Sequence, residues 1–185
     1  HFKKLKLNQI FDLVSKSSYP VLRDLGIEIH KSKLNKVIFS SSSAKLKSIN
    51  IASCLASYMQ TEDLSFAIID FSSTKNRLNA NHEVALDGPF MIEDVEGQVS
   101  TLVPKNDLDP MDFISHRQFS EDIDNISKKF DFVFMCADNK DAISLLRSMG
   151  NNKLFHITLV RTKHTKSSML SEIQSIMPIQ GLLHE

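Results

Sequence analysis

Short apolar runs alternate with segments of helical spacing along this chain, and that alternation constrains its fold most. Residues 36–40 (KVIFS), 64–71 (LSFAIIDF), 130–137 (FDFVFMCA) and 154–161 (LFHITLVR) are rich in Val, Ile, Leu and Phe, the mark of strands buried on both faces. Between them, Ile51, Ala52, Leu55, Ala56 and Met59 share one face of a helix that begins at Lys47 or Ser48 and ends near Gln60. Ala142, Leu145, Leu146 and Met149 mark a second helix, with Gly150 as its cap, and Met169, Leu170, Ile173, Ile176 and Met177 a third, stopped by Pro178. Residues 111–129 read as one more helix, with Ile114, Phe119, Ile123 and Ile126 inward; 99–103 read as a strand stopped by Pro104; 72–94 read as loop with one weak helix. Near the start, Leu7, Ile10, Phe11 and Val14 predict a helix over 5–16, with a short helical piece over 20–25 after Pro20. Such alternation implies right-handed crossovers and an α/β fold of three layers, a mostly parallel sheet with helices on both faces. The expected organisation is an N-terminal helical segment, 1–30, and one α/β domain, 31–185.

Composition narrows the partners. The chain has 185 residues, 42% of them hydrophobic, enough for one sizeable core. Its 22 basic and 22 acidic residues cancel, which argues against nucleic acid or a bulk anionic membrane as a partner. No apolar run approaches the roughly 18 residues of a membrane span, and the start, HFKKLKLNQ, lacks a signal-peptide core. Cys54 and Cys136 lie in apolar runs without a CxxC pair, so they read as core thiols of a protein in a reducing cytoplasm. The seven histidines, among them His82, His116, His156 and His164, fall into no metal-ligand spacing, so no metal site is expected, and His156 within a strand reads as packed or hydrogen-bonded.

In a parallel sheet, ligands gather at the carboxyl ends of the strands. Three such ends carry polar residues: 40–47, 70–75 and 136–141. The first, in LNKVIFSSSSAKLKSINIASCLA (34–56), has the layout of a phosphate-binding loop between strand and helix, yet contains no glycine. A phosphate cradle needs backbone N–H groups to wrap the ligand at a helix N-terminus, which small flexible residues permit. Three readings of SSSSAKLKS stay open: a solvated loop whose serines cap the helix, a remodelled anion site, and a working ATPase loop using Lys45 or Lys47.

Four stretches in order, KVIFSSSSAKLKSINIASCLASYM, FAIIDFSSTKN, KKFDFVFMCAD and HITLVRTKHTKSSMLSEIQSIMPIQGLL, carry a family resemblance. Their layout resembles the cytoplasmic domain of bacterial exopolysaccharide co-polymerases of the succinoglycan-transport type. It is similar also to the related bacterial tyrosine kinases, P-loop proteins akin to the MinD and ParA ATPases. The resemblance spans about residues 17–183 by layout more than by identity, and Tyr19, Leu22 and Arg23 fall where family members carry ring contacts. The chain stops just after Gly181, where the resemblance places a last strand, and it has no tyrosine-rich tail.

The departures from that pattern decide what the resemblance implies. Aligned without gaps, the P-loop lysine falls on Ser48, the glycines on Ser43, Lys45 and Lys47, and the magnesium-binding hydroxyl on Ile49. Shifted by one residue, Lys47 and Ser48 take the lysine and hydroxyl positions, but Ser41 and Leu46 replace the defining glycines. The second acidic motif keeps Asp70 but has Ser72 for its other aspartate, and the Walker B strand has Cys136 for its carboxylate, leaving Asp70 and Asp138 to hold magnesium. Phosphoryl transfer is mostly positioning and charge stabilisation, so these losses predict little or no ATP hydrolysis and no cofactor.

The resemblance therefore implies a non-catalytic pseudokinase or pseudo-ATPase domain that regulates exopolysaccharide chain length or export. It implies self-association, other export proteins as partners, and a cytoplasmic place at the inner membrane, reached through flanking segments. Two alternatives stay open. One is an atypical ATPase or tyrosine kinase using ATP, magnesium, Lys47 and Asp70; the other is a ParA-like partner-binding adaptor unrelated to polysaccharide.

Overall fold

The computed structural model describes residues 19–41, 47–60, 63–71, 84–86, 88–105, 108–150, 152–160, 167–176 and 181–184. Its strands are β1 (Lys36–Ser41), β2 (Phe66–Asp70), β3 (Val84–Ala85), β4 (Phe90–Glu96), β5 (Val99–Pro104), β6 (Phe132–Asp138), β7 (Phe155–Val160) and β8 (Gly181–His184). The helices are α1 (Tyr19–Ser32), α2 (Ser48–Met59), α3 (Pro110–Phe113), α4 (Phe119–Ser127), α5 (Asn139–Met149) and α6 (Ser167–Ile176). One eight-stranded sheet runs β3-β4-β5-β2-β6-β1-β7-β8. Every pairing from β5 to β8 is parallel, while β4 pairs antiparallel with β5 and with β3.

The strands form where both faces of the chain can be buried. On one face Ile38, Ala67, Ile69, Val133, Met135 and Ala137 meet α3, α4, α5 and α6 through Phe113, Ile123, Leu145 and Ile173. On the other, Val37, Phe39, Phe66, Ile68, Phe132 and Phe134 meet α1 and α2 through Leu22, Leu25, Ile29, Leu55 and Met59. Adjacent residues point to opposite faces, so a central strand such as β6 is apolar throughout rather than alternating. Rings reinforce the second layer: Phe39 and Phe134 have centroids 5.0 Å apart, and Phe66 lies 5.4 Å from Phe132 and 5.3 Å from Phe134. Such pairs contribute about 0.5–1.5 kcal/mol each beyond simple burial.

The α/β, three-layer, mostly parallel expectation is borne out; several local expectations are corrected. The helix expected over 111–129 divides into α3 and α4. Phe113 and Phe119 both enter the same core, yet six residues place side chains about 120° apart on a continuous helix. A break resolves the conflict, and Asp109 with Pro110 starts the first piece, its carboxylate accepting the Met111 N–H at 3.0 Å. Part of the loop expected over 72–94 is strand, β3 and most of β4; the pattern was hidden because only Phe90 of β4 is buried and Glu93–Asp94 dilutes its apolar residues. The last strand is represented by β8, which pairs with β7 from Ile157↔Gly181 onward. Helix α1 runs from Tyr19 past the expected 30/31 boundary to Ser32 and packs into the core. The helix expected over 5–16 lies outside the described residues.

Candidate functional site

Parallel pairing carries the polar ends of β1, β2 and β6 to one edge of the sheet. In register, Ser41 pairs with Asp138 and Asp70 with Cys136. The sequence dictates this meeting: each strand is apolar until its last residues, where FSS, IID and CAD turn polar as the chain leaves the core.

Helix α2 leaves this edge with Lys47 in extended conformation at its N-cap and no capping bond from the Lys47 side chain. The cap arrives from another element instead. Asp138 Oδ1 accepts the Ser48 backbone N–H at 3.0 Å, and Asp138 Oδ2 lies 4.0 Å from Lys47 Nζ. The Asp138 side chain is 4% exposed and that of Lys47 52%, so a buried carboxylate meets a solvated ammonium. Ser48 Oγ, at the same helix end, is buried and has no hydrogen-bond partner among the described residues. A helix start at Ser48 flanked by Lys47 is the arrangement of the shifted alignment; Ile49 packs against the α1–α2 core instead of facing the loop.

Cys136 is wholly buried, and burial pushes its thiol far above the ordinary range, with Asp70 and Asp138 adding to the rise. It is a neutral group where the resemblance places a metal-organising carboxylate. Asp141, in the first turn of α5, is raised by burial and then by the charges of Asp109 and Asp138. This edge is therefore already dense in negative charge.

The remaining predicted positions are dispersed. Ser43, Lys45 and Ser72 lie outside the described residues. Tyr19 opens α1; Leu22, expected at an interface surface, is buried in the α1–α2 core and presents no side chain to a partner; Arg23 is exposed beside Asp24 at 3.6 Å. Leu22 is inward because Leu22, Leu25 and Ile29 form the apolar stripe of that helix. Sequence reasoning named Asp138 only as a magnesium ligand and missed its bond to Ser48; the signal was an acidic residue closing a parallel strand beside the one that feeds α2. His156, expected to be packed or hydrogen-bonded, is buried with Nε2 2.8 Å from Ser40 Oγ and 3.1 Å from Thr158 Oγ1, partners the sequence did not name.

The donor end of α2 is engaged by Asp138, the Walker B position is an uncharged thiol, and among the described residues no three His, Cys, Asp or Glu side chains converge as metal ligands. Incoming phosphate oxygens would also meet Asp138 and its neighbours at close range in a partly buried site.

Comparison with known proteins shows the fold. No protein-family model and no curated protein matches the chain. Among solved structures, it is similar to the kinase domain of the Escherichia coli tyrosine kinase ETK, with TM-score 0.69 and 15% identity over 100% of this chain and 81% of that one. It is similar to the VpsO kinase domain, with TM-score 0.67 and 13% identity over 91% and 94% of the two chains. The BceF tyrosine kinase domain gives 0.65 and 10%, over 96% and 76%. The chain thus has the fold of bacterial tyrosine kinase domains, as its layout implied.

Proposed function

We propose that this domain is a non-catalytic relative of bacterial tyrosine kinases that regulates an exopolysaccharide biosynthesis or export system by protein contacts. The observation that carries the reading is Cys136. A kinase of this fold needs a carboxylate to organise magnesium at the end of its central strand, and this chain has a buried, neutral thiol there. An interface needs only a rigid scaffold, and the two-sided core supplies it.

The polysaccharide link rests on the order of the four sequence stretches, and the likeness in fold to tyrosine kinase domains supports it. In this reading the domain works in the cytoplasm at the inner membrane and associates with itself and with export proteins. No helix among the described residues is long and apolar enough to cross a membrane, so attachment would come through flanking segments. Two transmembrane helices around a periplasmic domain in the full-length gene product are the expected finding.

Calorimetric titration with ATP and magnesium at millimolar nucleotide tests the central claim. The expected result is no saturable binding. Saturable binding that disappears in a Lys47→Ala, Asp70→Ala double variant would overturn the reading in favour of an atypical ATPase or kinase.

A further inference from the structure

We propose that Asp138 is an internal anion, seated at the donor end of α2, that masks a latent site for phosphate-type ligands. The inference rests on the reading of the domain as one that does not take ATP, and it assigns that property a specific cause. The start of a helix presents backbone N–H groups without intrahelical partners and a partial positive charge. In α2 those features coincide with Lys47, and the group that answers them is a carboxylate from β6.

Three observations fit an occupied anion site better than an incidental contact. Asp138 Oδ1 accepts the Ser48 N–H at 3.0 Å while its Oδ2 lies 4.0 Å from Lys47 Nζ. It does so while 4% exposed, and a carboxylate that deep requires charge-assisted partners to offset its desolvation. The buried Ser48 hydroxyl, without a partner among the described residues, adds an unused polar group at the same helix end.

The backbone is shaped for this. Asp138 closes β6 in extended conformation, and Asn139 turns at once into α5 with φ of 54°. That is the left-handed region that asparagine tolerates better than most residues. The reversal holds the carboxylate at the sheet edge, in register beside Ser41. The site is then closed permanently and without ligand: anions are excluded by a charge belonging to the chain itself.

The test is pyrophosphate binding by the full chain in the presence of a metal chelator, compared at constant ionic strength for wild type, Asp138→Asn and Asp138→Ala. Calorimetry and the thermal midpoint report binding, since a ligand selective for the folded state raises the midpoint. The expected result is no saturable response in wild type and saturable binding in both variants, tighter than wild type by about tenfold or more once the like charge is gone. Asp138→Ala should bind tighter than Asp138→Asn, whose amide oxygen still accepts from Ser48. Equal affinity in wild type and variants overturns the proposal, as does absence of binding in a variant with a native spectrum. If Asp138→Ala does not fold, the nearly isosteric Asp138→Asn decides. In wild type, a saturable shift of the Ser48 amide resonance with pyrophosphate also overturns it. Failure here leaves the pseudokinase reading standing, because that reading falls only to magnesium-dependent ATP binding by wild type.

Discussion

Ser40 Oγ lies 2.8 Å from His156 Nε2 across the parallel pairing of β1 with β7, and Thr158 Oγ1 closes a triangle at 2.9 Å from Ser40 and 3.1 Å from His156. All three side chains are fully buried, so each depends on the others for the hydrogen bonds lost to water. With Nε2 as acceptor, one hydroxyl donates to the ring and the other donates to that hydroxyl, while the buried Nδ1 stands outside the triangle. Ser40→Ala should cost about 1–2 kcal/mol. In urea unfolding, Ser40→Ala and Thr158→Val should be non-additive, as expected within one network.

The thiols should be inert in the folded protein. Burial pushes Cys54 up to about 11 and raises Cys136 well above the ordinary thiol range, and the thiolate is the reactive form. Labelling with a disulfide reagent at pH 8 should be slow for both and should become complete only in denaturant. Prompt labelling of either thiol in native buffer would contradict this burial.

Restoring the missing carboxylate should not restore a kinase. Cys136→Asp places a charge in a fully buried position, in register with Asp70 and close to Asp138. Such a carboxylate is stripped of water and meets like charges, so the variant should lose about 3 kcal/mol or more of stability. Cys136→Ser should cost less, and neither should bind ATP with magnesium in calorimetry.

The layers of this fold were legible because each central strand declares itself: FVFMCA and AIID are apolar on both faces, and α2 and α5 carry clear stripes. What was not legible depended on groups distant in sequence. Asp138 reaches Ser48 across 90 positions, and Ser40 reaches His156 across 116; neither spacing is a motif. Strand β4, flanked by β3 and β5, was hidden because only Phe90 of it is buried and Glu93, Asp94 and Glu96 interrupt its apolar residues, so its pattern is that of a loop. The break between α3 and α4 shows only in that Phe113 and Phe119, at non-helical spacing, both enter one core, which the sequence does not reveal.

The β4–β5 hairpin turns at Gly97 with φ of 60°, and a Cβ there would lie 2.7 Å from Gln60 Oε1. Gly97→Ala thus combines left-handed strain with displacement of the Gln60 side chain, whose Oε1 accepts the Gln98 N–H at 3.4 Å. The expected loss is about 1–2 kcal/mol in urea unfolding. Gly88, also at positive φ but with open space around the added carbon, should show the strain without the clash.

Acid should act on this domain through two carboxylates shifted in opposite directions. Asp131 Oδ2 accepts the Ser65 N–H at 2.8 Å and its hydroxyl at 2.9 Å, and these bonds, backbone first, hold Asp131 below the usual carboxylate range. Its contribution is fully present above the unfolded value near about 3.9 and is lost as pH falls through the folded one. Asp141 is raised by burial and by Asp109 and Asp138, so its folded form takes up a proton first and stability gains as pH falls from its folded value towards the unfolded one. Asp131→Asn should therefore lower the urea midpoint at pH 7 and flatten its decline in acid. Asp141→Asn should raise the midpoint at pH 7 and have no effect at pH 3, where the native carboxyl is already protonated. Urea midpoints of both variants between pH 3 and 7.5 check the two signs, and a lower midpoint for Asp141→Asn at pH 7 would show that its charge is paired rather than crowded.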